Sequence, residues 1–138
     1  MKDEVVSKLK DLEKFAVLLK GYRGRTLEEL EKDLTLRGAV ERYLQLAIET
    51  VIEIGEMIIS KEGFKKPETY REVIEILGKE GVLDSRFARK FAPAAGFRNI
   101  LVHRYTEIEI DEVFGHLQKD VNDFSTFAKQ VSSYLRKK

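Results

Sequence analysis

The chain has no cysteine and no tryptophan, and only two each of proline, histidine and methionine among its 138 residues. Without cysteine there is no disulfide, no thiolate metal site and no cysteine nucleophile. No apolar run approaches the ~18 residues that a membrane span needs. Met1-Lys2-Asp3-Glu4 opens on mixed charge with no apolar stretch behind it, so no secretory leader is expected. A large charge of one sign is also missing. Lys and Arg number 25 against 24 Asp and Glu, a net +1, which argues against a strongly basic nucleic-acid binder taken as a whole. Hydrophobic residues make up 43% of the chain, enough for one core and too much for disorder. The expectation is a cytoplasmic protein without membrane attachment, forming a single domain over residues 1–138.

Strand-type alternation is missing too, and what replaces it is helical spacing. Val5, Leu9, Leu12, Ala16 and Leu19 recur at three- and four-residue steps and predict a first helix over about Asp3 to Lys20. Thr26-Leu-Glu-Glu29 is a capping box that starts a short helix ending near Asp33. The longest periodic stretch runs from about Leu36 to Lys61, nearly 40 Å at ~1.5 Å per residue, and predicts the spine of the fold. Tyr43, Leu46 and Ile54 lie on it beyond a single apolar stripe, which points to a second copy of the chain as a partner. Thr69-Tyr-Arg-Glu72 reads as a second capping box, and a further helix begins near Asp84 with Pro93 expected to kink or restart it. Asp111 is the expected N-cap of a last helix through Val113, Leu117, Phe124, Val131 and Leu135. Together these predict an all-α fold, an antiparallel bundle of about five to six helices.

Most chemistry-bearing motifs are absent. There is no glycine-rich phosphate loop, no dinucleotide fingerprint and no nucleophile elbow. Neither histidine has a Glu three residues before it, as a di-iron bundle requires, and Glu112 with His116 is expected to form a surface ion pair rather than a metal site. No metal or cofactor is therefore expected. Between residues 86 and 104 stand five cations (Arg86, Arg89, Lys90, Arg98 and Arg104) and no acid, either an ordinary mixed surface or a local anion site.

One cluster holds the residues an anion site would need, the alternative being a helix-end cap beside a structural histidine. Arg98-Asn-Ile-Leu-Val-His-Arg-Tyr105 joins a permanent cation, an amide, an imidazole and a phenol. At 100° per residue Asn99 and His103 are helix-face neighbours, whereas Arg98 and His103 diverge by about 140°. Those two meet at one substrate only if the helix ends near His103 or a second subunit supplies its copy. A histidine with an ordinary pKa of ~6.5 removes a proton near neutrality, and an arginine holds a phosphate through two parallel hydrogen bonds. A base with a phosphate clamp is sufficient for metal-free RNA cleavage through the ribose 2′-OH.

The run Ala95-Gly-Phe-Arg-Asn-Ile-Leu-Val-His-Arg-Tyr105 resembles the signature of HepT-like toxins in the HEPN superfamily: Arg, four to six residues, His, one residue, Tyr. The likeness extends to Arg37–Glu49 and to Pro67–Val73, and covers roughly Val5 to Tyr134. It implies a HEPN-like helical homodimer with endoribonuclease activity, in which Arg98 and His103 are the catalytic pair. Asn99 matches the polar neighbour that shapes the site, and two copies of Arg98 and Arg104 would gather cations for RNA, so Asn99 and Arg104 are candidate substrate-binding residues. Tyr105 matches the tyrosine to which the partner antitoxin, an MntA-type minimal nucleotidyltransferase, adds AMP units. The alternative is a HEPN domain serving as a non-catalytic binding or dimerisation module. The intact Arg98 and His103 favour the enzyme.

Overall fold

The computed structural model describes residues 2–102 and 109–138. Six helices account for most of them: α1 (Lys2–Lys20), α2 (Leu27–Lys32), α3 (Leu34–Glu62), α4 (Tyr70–Lys79), α5 (Ser85–Val102) and α6 (Ile110–Arg136). No strand occurs among the described residues. No helix among them is long and apolar enough to cross a membrane. The expected all-α bundle is what forms.

Local chemistry sets the helix ends. Thr26 and Glu29 make the full capping box, each side chain accepting from the other's backbone N–H. Asp33 serves two helices: its N–H donates to the Glu29 carbonyl to close α2, and its carboxylate accepts from the Leu36 N–H to open α3. That second bond is why α3 begins at Leu34 rather than near Leu36. Gly63 closes α3 in the left-handed region (φ 71°), where a side chain would be strained.

Two expected caps differ in detail. Thr69 caps α4 by accepting from the Glu72 N–H, but the Glu72 carboxylate takes the N–H of Glu68 instead of that of Thr69. The N-cap of α6 is Glu109, not Asp111, which lies in the first turn beside Glu112, where the helix dipole favours acids. Helix α5 is assigned without a break through Pro93. The proline forgoes one amide bond but does not restart the helix, because Phe91, Ala92, Ala94 and Ala95 around it are all buried.

Helix α3 is the spine, with α1, α4 and α5 packed around it, and α6 lies against α1 and α3. The core is a single cluster that includes Val5, Leu12, Leu44, Ile48, Ile58, Leu77, Phe91, Phe124 and Phe127. Phe91 of α5 meets Phe124 edge-on at 5.9 Å and Phe127 at 5.8 Å, which pins the first half of α5 to the middle of α6. Each buried phenyl stabilises the fold by about 1.5–3 kcal/mol.

The apolar excess of α3 is mostly absorbed within the chain. Ile54 is fully buried, and Tyr43 stacks on Tyr22 at 6.4 Å, so neither residue argues for a second copy. Only Leu46 of the three stays half-buried without such a cover.

Candidate active site

Arg98 projects from α5 toward the junction of α3 and α4. Its Nε donates to Glu49 of α3 at 3.2 Å, its guanidinium carbon lies 4.9 Å above the ring of Tyr70 at the start of α4, and Nη1 reaches Asn99 Oδ1 at 3.5 Å. Glu49 is held in turn by Gln45, one helical turn earlier. The ion pair is partly covered, with Arg98 and Glu49 each 27% exposed at the side chain. A carboxylate on one edge and an aromatic face beneath fix the plane of the guanidinium, and among the described residues its other N–H groups make only the long contact to Asn99. Asn99 is exposed beside it.

The structure thus brings Arg98 and Asn99 to one corner. His103, Arg104 and Tyr105 lie outside the described residues, and so does the expected end of the helix near His103. The run of cations is less free than its sequence implied. Lys90 is 3.3 Å from the buried Asp123 of α6, and Arg98 is paired with Glu49, whereas Arg86 and Arg89 are exposed. Glu49 and Tyr70 carried no expectation, although both sit in stretches that resemble the family. Nothing local marks them, because the Arg98–Glu49 contact joins residues 49 apart.

The opposite flank of α5 is different. A cleft of about 440 Å³ lies between α5, α6 and Arg71 of α4. His116 lines it, stacked on Phe97 with ring centres 4.0 Å apart. The expected ion pair with Glu112 is not made: His116 Nδ1 is 2.6 Å from Asp120 Oδ2. Burial decides the choice. Asp120 is 1% exposed and needs a partner, whereas Glu112 is exposed and hydrated. One turn on, burial pushes the carboxyl of Asp123 above its usual range, with Lys90 opposing the shift, and Oδ2 of Asp123 has no hydrogen-bond partner. Among the described residues no three His, Asp or Glu side chains converge as a metal site would require.

A family profile described as "Ribonuclease HepT-like" matches residues 7–131. The chain belongs to that family. It is 32% identical over 117 residues (85% of this chain, 80% of the other) to a tRNA nuclease HepT from Aphanizomenon flos-aquae. It is 24% identical over 133 residues to an mRNA nuclease HepT from Shewanella oneidensis, covering 96% of this chain and 99% of the relative. The fold of this HepT-like chain also matches that of a tri-AMPylated Shewanella oneidensis HEPN toxin in complex with MNT antitoxin. The TM-score is 0.75 at 23% identity, covering 94% of this chain and 95% of that one.

Proposed function

We propose that this HepT-like protein is the toxin of a toxin–antitoxin pair and acts as a metal-independent endoribonuclease. Arg98 carries the reading: a permanently charged side chain, partly exposed and fixed in plane by Glu49 and Tyr70, at the first position of the family signature. Relatives named as tRNA and mRNA nucleases support the activity, and the tri-AMPylated neighbour in its antitoxin complex supports the regulation.

In this mechanism His103 takes the proton of a ribose 2′-OH. The 2′-oxygen attacks the adjacent phosphorus, and the 5′-oxygen leaves and takes up a proton, giving a 2′,3′-cyclic phosphate and a 5′-OH. Arg98 keeps Nε on Glu49 and turns its remaining N–H groups to the non-bridging oxygens, where negative charge accumulates. Glu49 is a positioning residue. Asn99 and Arg104 contact the strand. AMP units added to Tyr105 by an MntA-type antitoxin would set phosphates against Arg98 and exclude RNA by charge and bulk. The active form is a homodimer, expected at twice the 16.0 kDa chain mass in sedimentation equilibrium.

The test is incubation of purified protein with total RNA in EDTA beside the His103→Ala variant. Cleavage by the wild type alone is expected, and cleavage that requires added magnesium would overturn the mechanism. Mixing with the cognate nucleotidyltransferase and ATP should place added mass on the Tyr105 peptide. A Tyr105→Phe protein that is silenced equally well would remove the phenol as the switch.

A further inference from the structure

We propose that the cleft between α4, α5 and α6 is a second nucleotide-binding subsite, holding one nucleoside monophosphate unit of an RNA strand whose reacting phosphate lies at Arg98; this rests on the ribonuclease reading above. Its volume of about 440 Å³ suits a single nucleotide. Arg71 and Lys119 supply cations from opposite walls, and exposed Glu112 supplies an acceptor for a sugar hydroxyl or base amine. Phe97 and Ile100 provide the apolar floor.

Three further observations distinguish this cleft from a gap between helices. The first is that its histidine is held. Asp120 occupies Nδ1 and the Phe97 ring fixes the imidazole plane, which leaves Nε2 without a hydrogen bond among the described residues. Buried support of this kind orients a ring for an external partner. The second is that the cations are only weakly held, the charge of Lys119 also acting on Asp123. Lys119 makes no ion pair among the described residues, and Arg71 has only an exposed contact to Glu75 at 3.5 Å, a pairing of little worth. The third is position. Tyr70 lies beneath Arg98 while its neighbour Arg71 lines the cleft, and Phe97 and Arg98 divide the same way on α5. The two sites flank one helix, and a strand running from Arg98 reaches the cleft across the exposed Asn99 and Ile100.

The cleft is also open by construction. A Cβ built on Gly96 or Gly115, both in its wall, meets nothing within 4 Å. A methyl group at Gly115 therefore meets no neighbour, and a longer side chain there extends from the wall of the cleft.

The test uses the full chain and a fluorescein-labelled single-stranded RNA carrying 2′-O-methyl groups throughout, which binds but cannot be cleaved by 2′-OH attack. Arg71→Ala with Lys119→Ala should weaken binding about tenfold or more and flatten the salt dependence of log K by about 0.7 per lost phosphate contact. Gly115→Leu should weaken binding without changing charge, and Lys129→Ala, an exposed lysine elsewhere on α6, should bind as wild type. AMP added in competition identifies the source of the nucleotide. If the variants lose RNA affinity, whether AMP competes with the strand or fails to bind, the strand subsite stands. If AMP shifts the amide resonances of Gly115 and Lys119 while RNA affinity is indifferent to all three substitutions, the cleft is a free-nucleotide site and the proposal fails. It fails equally if no substitution affects either ligand. Because the probe needs no cleavage, loss of the ribonuclease reading and loss of the subsite register separately.

Discussion

The two flanks of α5 are built on opposite plans. On the α4 side the helices touch at backbone distance: a Cβ on Gly78 would lie 2.4 Å from the Cβ of Ala88, and one on Gly55 of α3 would lie 2.4 Å from Val73. On the α6 side the glycines of α5 and α6 face open space, and the cleft results. Arg98 belongs to the α4 flank, where its partner Glu49 is held by Gln45 one turn earlier on α3. His116 and Lys119 belong to the open flank, where a ligand has room. A rigid wall beside a vacant one fits a catalyst that must fix one phosphate closely and admit a strand with neighbouring nucleotides of any kind.

The largest expected break in that contrast is chemical. Arg98→Ala should lower RNA cleavage by about 10²- to 10⁴-fold while far-UV circular dichroism and Tm stay near wild type, since one partly exposed ion pair is lost and no core volume. An Arg98→Ala enzyme with full activity would reduce the tight flank to a structural feature.

Glycine substitutions probe the packing itself. Gly78→Ala should destabilise the fold by about 1–3 kcal/mol in urea titration, because the clash is with a methyl fixed to the backbone and α4 or α5 must move. Gly55→Ala should cost less, since its closest contact is a valine γ-methyl that can turn. Gly115→Ala on the open flank should reverse the sign and stabilise by up to about 1 kcal/mol, through helix propensity alone. Equal destabilisation by Gly78→Ala and Gly115→Ala would erase the distinction between the flanks.

The smallest effect concerns Asp123. Burial raises its carboxyl pKa in the folded chain, so the folded state holds that proton to higher pH than the unfolded state does. The contribution to stability is therefore present below the unfolded value and lost as pH rises through the folded one. Asp123→Asn should gain in Tm relative to wild type as pH is raised from 4 to 7. A constant difference across that range would mean that the lysine contact of Asp123 balances its burial, and a loss in Tm with rising pH would mean that it outweighs it.

Much of the fold could be read from the residues, whereas the contrast between the flanks could not, and the missing parts share a cause. Periodicity located all six helices, and the Thr26–Glu29 box was legible because both partners lie within one turn. Arg98 and Asn99 stood out through their resemblance to the family signature, not through spacing alone. Glu49 and Tyr70 did not, since the contacts that make them matter come from two other helices and depend on how α3, α4 and α5 pack. The partner of His116 shows the same limit within a single helix. Glu112 and Asp120 lie four residues to either side of it on one face, and only the burial of Asp120 decides between them. Spacing reports which residues share a face; it carries no information on which part of that face the neighbouring helix covers.

The end groups of the RNA products test the central claim most directly. In EDTA the wild-type protein should leave 2′,3′-cyclic phosphate and 5′-OH ends, and Arg98→Ala and His103→Ala should leave almost none, because the nucleophile is the neighbouring 2′-OH and both side chains act on it. Products with 3′-OH and 5′-phosphate ends would contradict the account, since they require water as the nucleophile and a different arrangement of the site.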